Sequence, residues 1–448
     1  MEREDGRFSN IVRISIAEGI FGQIFNSLSG PGSVFLTKFA IMINATSLQF
    51  GILAAIGQIS LVFQPLGAII TRRREKRKGV VLNLLFAGRG IALFYGIIPF
   101  FFLSGNTISV FLLLFFLSVS LSAVADNAWI AWISDMIPRR VRGRFFSARS
   151  RYLMLTAIIV SCAFGFFIDL FIEGASSGRL SGIFTHEHLP YGFAIIFFTA
   201  TVAGILGLSV LSRQPEKMKR IEEEGFAEMF VQPLRDSNFR KFLFYDCWWM
   251  FAVGIGAPFW QPFMMKKLNM SLFEVQIYGS INIISSMVVL GFWGRLIDAY
   301  GNKTAMRLII LLGGLNPMVW LFVSAHNYTI LYLEAITSGM MWGGAGLVGM
   351  NFVLSVAPKE RKQVYAGVSG AFSGVAMMTT MLISGAFLPS PLEIEGLHLE
   401  PEQVLFALTG IARWSAQIPL SWIHEPRSRP VGHAIASFIR EIKPRIMK

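Results

Sequence analysis

Twelve apolar stretches, about 20 residues or longer, divide this chain at 10–30, 47–70, 80–103, 107–136, 148–172, 191–212, 241–265, 272–294, 304–324, 328–357, 364–388 and 402–424. A helix of about 20 apolar residues crosses ~30 Å of hydrocarbon, whereas a barrel strand needs only about 9–11. Lipid offers no hydrogen bonds, so a spanning segment has to satisfy its own backbone, as a helix does. Only 15% of the residues are charged and the mean hydropathy is +0.56, against about 25% charged in an ordinary soluble protein. The expected fold is an all-α integral membrane protein with twelve transmembrane helices.

The basic residues are sorted to alternate connections. Of 40 Lys and Arg, four (Lys38, Arg179, Lys266, Lys267) belong to one side, two (Arg89, Arg413) fall deep inside stretches, and the remaining 34, counting those at stretch ends such as Arg149 with the adjoining connection, belong to the other side. Basic residues resist translocation, so the rich side is cytoplasmic. Both termini are then cytoplasmic, and the expected location is the plasma (cell) membrane. The net charge of +13 sits in juxtamembrane connections, where anionic lipid headgroups, not nucleic acid, are the partner. The first apolar run is too long for a cleaved signal peptide. Cys162 and Cys247 both lie in apolar stretches and indicate no disulfide framework.

The longest cytoplasmic connection divides the stretches six and six. This gives an N-terminal six-helix bundle (1–212), a linker loop (213–240), a C-terminal six-helix bundle (241–425) and a basic amphipathic tail (426–448). The halves share punctuation in the same order. Gly30-Pro31-Gly32 matches Gly256-Ala257-Pro258, Ala45-Thr46-Ser47-Leu48 matches Asn269-Met270-Ser271-Leu272, and the fourth stretches end at Pro138 and Pro358, each before a basic run. Such duplication suits transporters, whose solute site lies near the bilayer midplane. The connection Gly294-Arg295-Leu296-Ile297-Asp298-Ala299-Tyr300-Gly301-Asn302-Lys303 resembles the loop motif of the major facilitator superfamily. The matching first-half segment, Gly67 to Lys76, keeps the Gly and the basic run but has Thr71 in place of the acid and Arg74 in place of the second Gly.

The resemblance implies two pseudo-symmetric bundles working by alternating access, with this loop as a cytoplasmic gate. Carried onto the chain, the gate comprises Gly67, Arg72, Asp135 and Arg142 in the first half and Gly294, Asp298, Gly301 and Arg361 in the second. Asp298 would pair near Arg361, a carboxylate at a helix N-terminus being worth ~0.3–1 kcal/mol and reversible. Thr71 cannot supply that charge, which leaves Asp135 to pair with Arg72 or Arg74.

Ionisable residues inside spans cost ~2.5–3.5 kcal/mol at mid-helix and mark function. Glu18, Arg89 and Asp126 sit at a common depth, roughly 12–16 Å from the cytoplasmic surface at 1.5 Å per residue. They are the coupling candidates, with Glu18 or Asp126 taking and releasing a proton. Asp246 stands close to the cytoplasmic start of span seven, Glu334 in the outer part of span ten and Arg413 midway along span twelve. Cavity candidates are the amides Gln23, Asn26, Gln58, Asn127, Gln261 and Asn282, with the aromatic platforms Trp129, Trp249, Trp260 and Trp342. The glycines of spans ten and eleven suggest close packing.

These features point to a secondary transporter of a small organic solute, sugar-like or amphipathic, coupled to H+ or Na+ and acting as a monomer. The alternatives are an efflux pump of the same superfamily and a transporter-like sensor signalling through the central loop. No cofactor, metal or enzymatic constellation is expected. The segment 294–304 lacks the four-residue spacing of a nucleotide-binding loop.

Overall fold

The computed structural model describes residues 2–72, 77–101, 106–137, 141–173, 184–216, 226–358, 361–394, 397–425 and 428. Among these, side chains are described except at 2–9, 59–61, 64–72, 127, 131, 134–135, 142–144, 173, 226–230, 363, 394 and 397. The chain is helical almost throughout. In order it forms α1 (Glu2–Ser29), α2 (Val34–Met42), α3 (Ser47–Arg72), α4 (Lys78–Tyr95), α5 (Ile98–Phe101), α6 (Thr107–Met136), α7 (Arg142–Glu173) and α8 (Leu189–Leu211). The second half continues with α9 (Phe226–Arg235), α10 (Ser237–Gly256), α11 (Trp260–Lys266), α12 (Leu272–Tyr300), α13 (Asn302–Val319), α14 (Ile330–Val356), α15 (Lys362–Ala386), α16 (Pro401–Ser415) and α17 (Gln417–Ser421). One small antiparallel hairpin, β1 (Leu392–Ile394) with β2 (Leu397–Leu399), pairs Leu392 with Leu399 in a stretch where no strand is expected.

Among the described residues, nine helical segments are long and apolar enough to cross a membrane. Large apolar side chains stand exposed along them, including Leu155, Ile159, Phe166, Phe198, Leu206, Val288 and Leu333. That much uncovered apolar surface requires hydrocarbon around it. The chain is an all-α membrane protein.

Two expected breaks are present. α1 ends at Ser29 and the chain resumes as α2 only after Gly30-Pro31-Gly32, with Gly32 at φ 79°, where a Cβ would strain the backbone. α10 ends at Gly256, and α11 begins after Ala257-Pro258. Proline lacks an amide donor and crowds the preceding turn. The spans at 80–103 and 402–424 are likewise divided, into α4 with α5 and α16 with α17. The span expected at 148–172 begins earlier, at Arg142.

The chain groups into two compact units, one of Met1–Glu222 with Pro258–Ile277, the other of Glu223–Ala257 with Tyr278–Lys448. The first is centred on Phe39, whose ring meets those of Phe111, Phe193 and Phe197 edge-on at 5.1, 5.4 and 5.2 Å. Tyr95 extends this nest through Phe111 and Phe197. The segment Pro258–Ile277 is tied down within that unit. Thr37 Oγ1 donates to Gln261 Oε1 at 2.6 Å, Gln261 Nε2 donates to the Gly32 carbonyl at 3.0 Å, and Asp169 accepts from the amides of Leu272 and Phe273 at 2.7 and 2.6 Å.

The second unit has its own core of Phe239, Phe242, Tyr245, Trp249, Trp293 and Phe352. Here α12 and α14 approach closely. A Cβ on Gly339 would lie 2.2 Å from the Asn282 carbonyl, and one on Gly343 would lie 2.7 Å from that of Ser286. Trp293 Nε1 fastens the same contact to the Met340 carbonyl at 2.9 Å. Gly339 and Gly343 thus have the packing role expected of them, whereas a Cβ at Gly346 or Gly349 of span ten, or at Gly367 or Gly370 of span eleven, would meet nothing within 4 Å.

The duplication extends to a detail no motif announced. In each half, a carboxylate just beyond the sixth span caps the helix of the third. Glu216 accepts from the amides of Arg77 and Lys78 at the start of α4, while Lys78 Nζ donates to the Gln214 carbonyl at 3.0 Å. Glu425 accepts from the amides of Asn302 and Lys303 at 3.1 and 2.7 Å, and Lys303 Nζ donates to the carbonyls of Ser421 and Ile423 at 2.8 and 2.7 Å. A carboxylate on orphan amides at a helix N-terminus gains both hydrogen bonds and the dipole term.

Candidate functional site

The charged candidates of the first unit come together. Glu18 on α1 is 4% exposed, and Arg89 on α4 is 6% exposed. Arg89 Nη2 lies 3.5 Å from Glu18 Oε1, and its Nη1 donates to the Gly204 carbonyl at 2.8 Å. The other carboxylate oxygen meets a residue the sequence reading assigned to a cytoplasmic connection. Arg149 Nη2 lies 3.2 Å from Glu18 Oε2, and its Nε donates to the Ser15 carbonyl at 3.2 Å. Because α7 starts at Arg142, Arg149 is two turns inside a helix and turns inward. The missed signal was the length of that helix, since Arg149 reads as the end of a basic run.

Room for two guanidinium groups around one carboxylate comes from glycines. A Cβ at Gly19 would stand 2.9 Å from Arg149 Nε and Nη2, and one at Gly204 would stand 2.9 Å from Arg89 Cδ. Arg149 also stacks over the Trp129 ring at 4.6 Å, and Arg89 lies 5.8 Å from the Phe25 centroid. Trp129, expected in the solute cavity, is therefore a platform for an arginine. Its Nε1 has no hydrogen-bond partner among the described residues.

Asp126, the third expected member, is exposed and lies within electrostatic reach of Arg89, Glu18 and Arg149. It forms no ion pair with either guanidinium among the described residues. Four formal charges thus balance, with one carboxylate buried between two arginines and the other exposed beside them.

The second unit holds a different polar group. Glu334 on α14 is 4% exposed and accepts from Tyr278 Oη at 2.7 Å. Arg413 on α16 is equally buried, donates from Nη1 to the Gly313 carbonyl at 3.1 Å, and lies 5.9 and 5.5 Å from the Trp249 and Trp342 ring centroids. Trp249 is a core residue at 3% exposure, so solute cannot reach its ring face in this conformation. Trp342, at 36%, is open on one side. Asp246 stands within α10, half-buried, and accepts from Ser369 Oγ of α15 at 2.6 Å.

Among the amide candidates, Gln261 spends both ends of its side chain on Thr37 and Gly32, as above. Gln23 donates to Ser27 at 3.2 Å, and Asn26 is exposed. Gln58 and Trp260 are half-buried, and Asn282 contributes its carbonyl to the close approach at Gly339. The side chains of Asn127, Arg72, Asp135 and Arg142, and the surroundings of Gly67, lie outside the described set.

The second-half gate residues are described. Gly301 has φ 86° and forms the turn between α12 and α13, which only glycine adopts without strain. A Cβ at Gly294 would meet nothing within 4 Å. Asp298 is exposed in the last turn of α12 and forms no ion pair with Arg361 among the described residues. The α13 N-terminus, just beyond this loop, is taken by Glu425.

Comparison with known proteins gives the same fold. The family model described as Major Facilitator Superfamily matches residues 19–381. A protein of Arabidopsis thaliana named as a sugar transporter, ERD6-like 13, is 24% identical over 169 residues, 34% of this chain and 33% of its own length. The bacillibactin exporter of Bacillus subtilis is 24% identical over 110 residues, 24% of this chain and 27% of the exporter. The chain therefore matches about a third or less of these relatives. The crystal structure of a D-xylose–proton symporter superposes with a TM-score of 0.66 at 14% identity, covering 93% of this chain and 98% of the symporter.

Proposed function

The chain belongs to the major facilitator superfamily, and from that membership we propose that it is a secondary active transporter of a small organic solute, sugar-like or amphipathic. It works in the plasma membrane with both termini cytoplasmic, exposing one solute site to each side in turn and drawing on an ion gradient. The observation that carries the coupling is the charge arrangement around Glu18. The Glu18 carboxylate is engaged on both oxygens by arginines, and replacing it would strand two buried cations. The exposed Asp126 beside it is the group free to exchange a proton, and a proton there changes the cluster from neutral to a net positive charge. Import of a sugar-like solute fits the likeness to the Arabidopsis protein. Efflux is the second reading, favoured by the likeness to the bacillibactin exporter.

The test begins with a thermal-shift screen of purified protein against metabolite and drug libraries, followed by flux in proteoliposomes under imposed pH or sodium gradients. A hit is expected to move down a pH gradient in the wild type and to lose that drive in Asp126→Asn. Flux that stays proton-dependent in both Asp126→Asn and Glu18→Gln refutes the assignment of the coupling site. Solute binding without flux in either direction would make the chain a sensor.

A further inference from the structure

We infer that Asp246 is a protonation site of its own, separate from the Glu18 cluster, in which the Ser369 hydroxyl of α15 holds a carboxyl that exchanges a proton. Asp246 is the tenth residue of α10 and the sixth of the apolar stretch 241–265, roughly 8 Å along the helix from the cytoplasmic start of that stretch. A charged carboxylate at such depth is costly unless it is paired or neutralised. Glu18 is paired twice, but Asp246 has only a hydroxyl donor. Ser369 Oγ lies 2.6 Å from its Oδ2, while Ser373, one turn further along α15, turns its hydroxyl to the Gly370 carbonyl at 3.5 Å. Both serines are buried, at 5% and 4% exposure.

The elements packed on α10 supply no counter-ion. Lys362 of α15 is exposed at the helix start, Arg235 of α9 is exposed, and Arg240 and Lys241 lie in the first turns of α10 itself, also exposed. Arg413 of α16 is committed to the Gly313 carbonyl and the two tryptophan rings. The charged group of α14 is Glu334, bound to Tyr278, and α17 carries no charge. The remaining titratable neighbours, Tyr245, Cys247 and Tyr365, are neutral hydroxyl and thiol groups at ordinary pH. Among the described residues, no Lys, Arg or His pairs with Asp246.

The direct hydroxyl–carboxyl contact also selects the ligand. A sodium ion would have to stand between the two oxygens, which at 2.6 Å apart leave no room for it. A proton needs no such space. Its arrival converts one acceptor oxygen into a donor and loosens the demand on Ser369, which lets α10 and α15 adjust against each other. The use of this proton in coupling rests on the transport reading above; its binding does not.

The test is pH-difference infrared spectroscopy of the full chain in liposomes, following the C=O band of protonated carboxyl groups. Wild type is expected to show a titrating band that disappears in Asp246→Asn, moves to higher frequency in Ser369→Ala and persists in Glu18→Gln. An unchanged set of bands in Asp246→Asn overturns the proposal. If that variant fails to fold, an unmoved band in Ser369→Ala overturns it. A sodium-induced change in carboxylate bands that requires Asp246 overturns the choice of ligand. A titrating Asp246 band in a protein with no flux would retain this site while refuting the transport reading.

Discussion

Removing Glu18 should damage the protein more than removing either arginine that holds it, and removing one arginine as well should repair part of the damage. The wild-type carboxylate faces guanidinium nitrogens at 3.5 and 3.2 Å, with side chains 8%, 16% and 6% exposed for Arg89, Arg149 and Glu18. Glu18→Gln leaves two like charges facing each other in a nearly dry pocket. Breaking a buried pair costs about 3–5 kcal/mol, and the unrelieved repulsion puts this variant at the upper end. Arg149→Met loses one ion pair and the bond to the Ser15 carbonyl, but Glu18 keeps Arg89, so the loss is roughly 1–2 kcal/mol. In Glu18→Gln/Arg149→Met only Arg89 remains, balanced by Asp126. That double variant should be more stable than Glu18→Gln alone by about 2 kcal/mol, a coupling typical of residues that share a network. Reversible unfolding of the purified chain in mixed micelles, run as a double-mutant cycle, measures all three terms. A double variant no more stable than Glu18→Gln would refute the three-charge reasoning.

Two further outcomes follow from the same geometry. Gly204→Val puts a branched side chain where a single Cβ would already lie 2.9 Å from Arg89 Cδ and 3.1 Å from the Phe25 ring; the expected loss is about 1–3 kcal/mol in the same unfolding assay, and an unchanged midpoint would mean the collar is slack. In a background without Cys162 and Cys247, single cysteines at Gly79→Cys, which is exposed with open space at its Cβ, and Val141→Cys should react with an impermeant thiol reagent from the same, cytoplasmic, side of the membrane. Labelling from opposite sides would end the twelve-span reading.

The spans, the sorting of basic residues and the two broken helices were legible because each is a local property, either a run of apolar residues or a proline where an amide is needed. Glu18, Arg89 and Asp126 were legible for a similar reason, since charge within an apolar run stands out against its surroundings. Arg149 was not, because its run of basic neighbours hid a helix that starts before the apolar stretch does. Glu216 and Glu425 were invisible for the complementary reason. Both follow the end of a span, where an acid reads as ordinary solvent-facing polarity, and their partners lie 138–139 and 122–123 positions away in the chain. The short hairpin at Leu392–Leu399 falls between spans eleven and twelve, in a stretch too short to show a period. The solute candidates divide on packing. Trp249 and Gln261 look alike in a list of polar and aromatic residues, but one is core and the other ties down the break at Gly32, and neither fact is written in its own neighbourhood.

Because Glu425 fastens the amino end of α13, what looks like a trailing coil after α17 is the hem of the C-terminal bundle. A stop codon or an affinity tag inserted after Ser421 would keep every helix through α17 and still unpick that seam, freeing the backbone amides of Asn302 and Lys303. A shortened version meant for crystallisation or fusion should therefore run past residue 425.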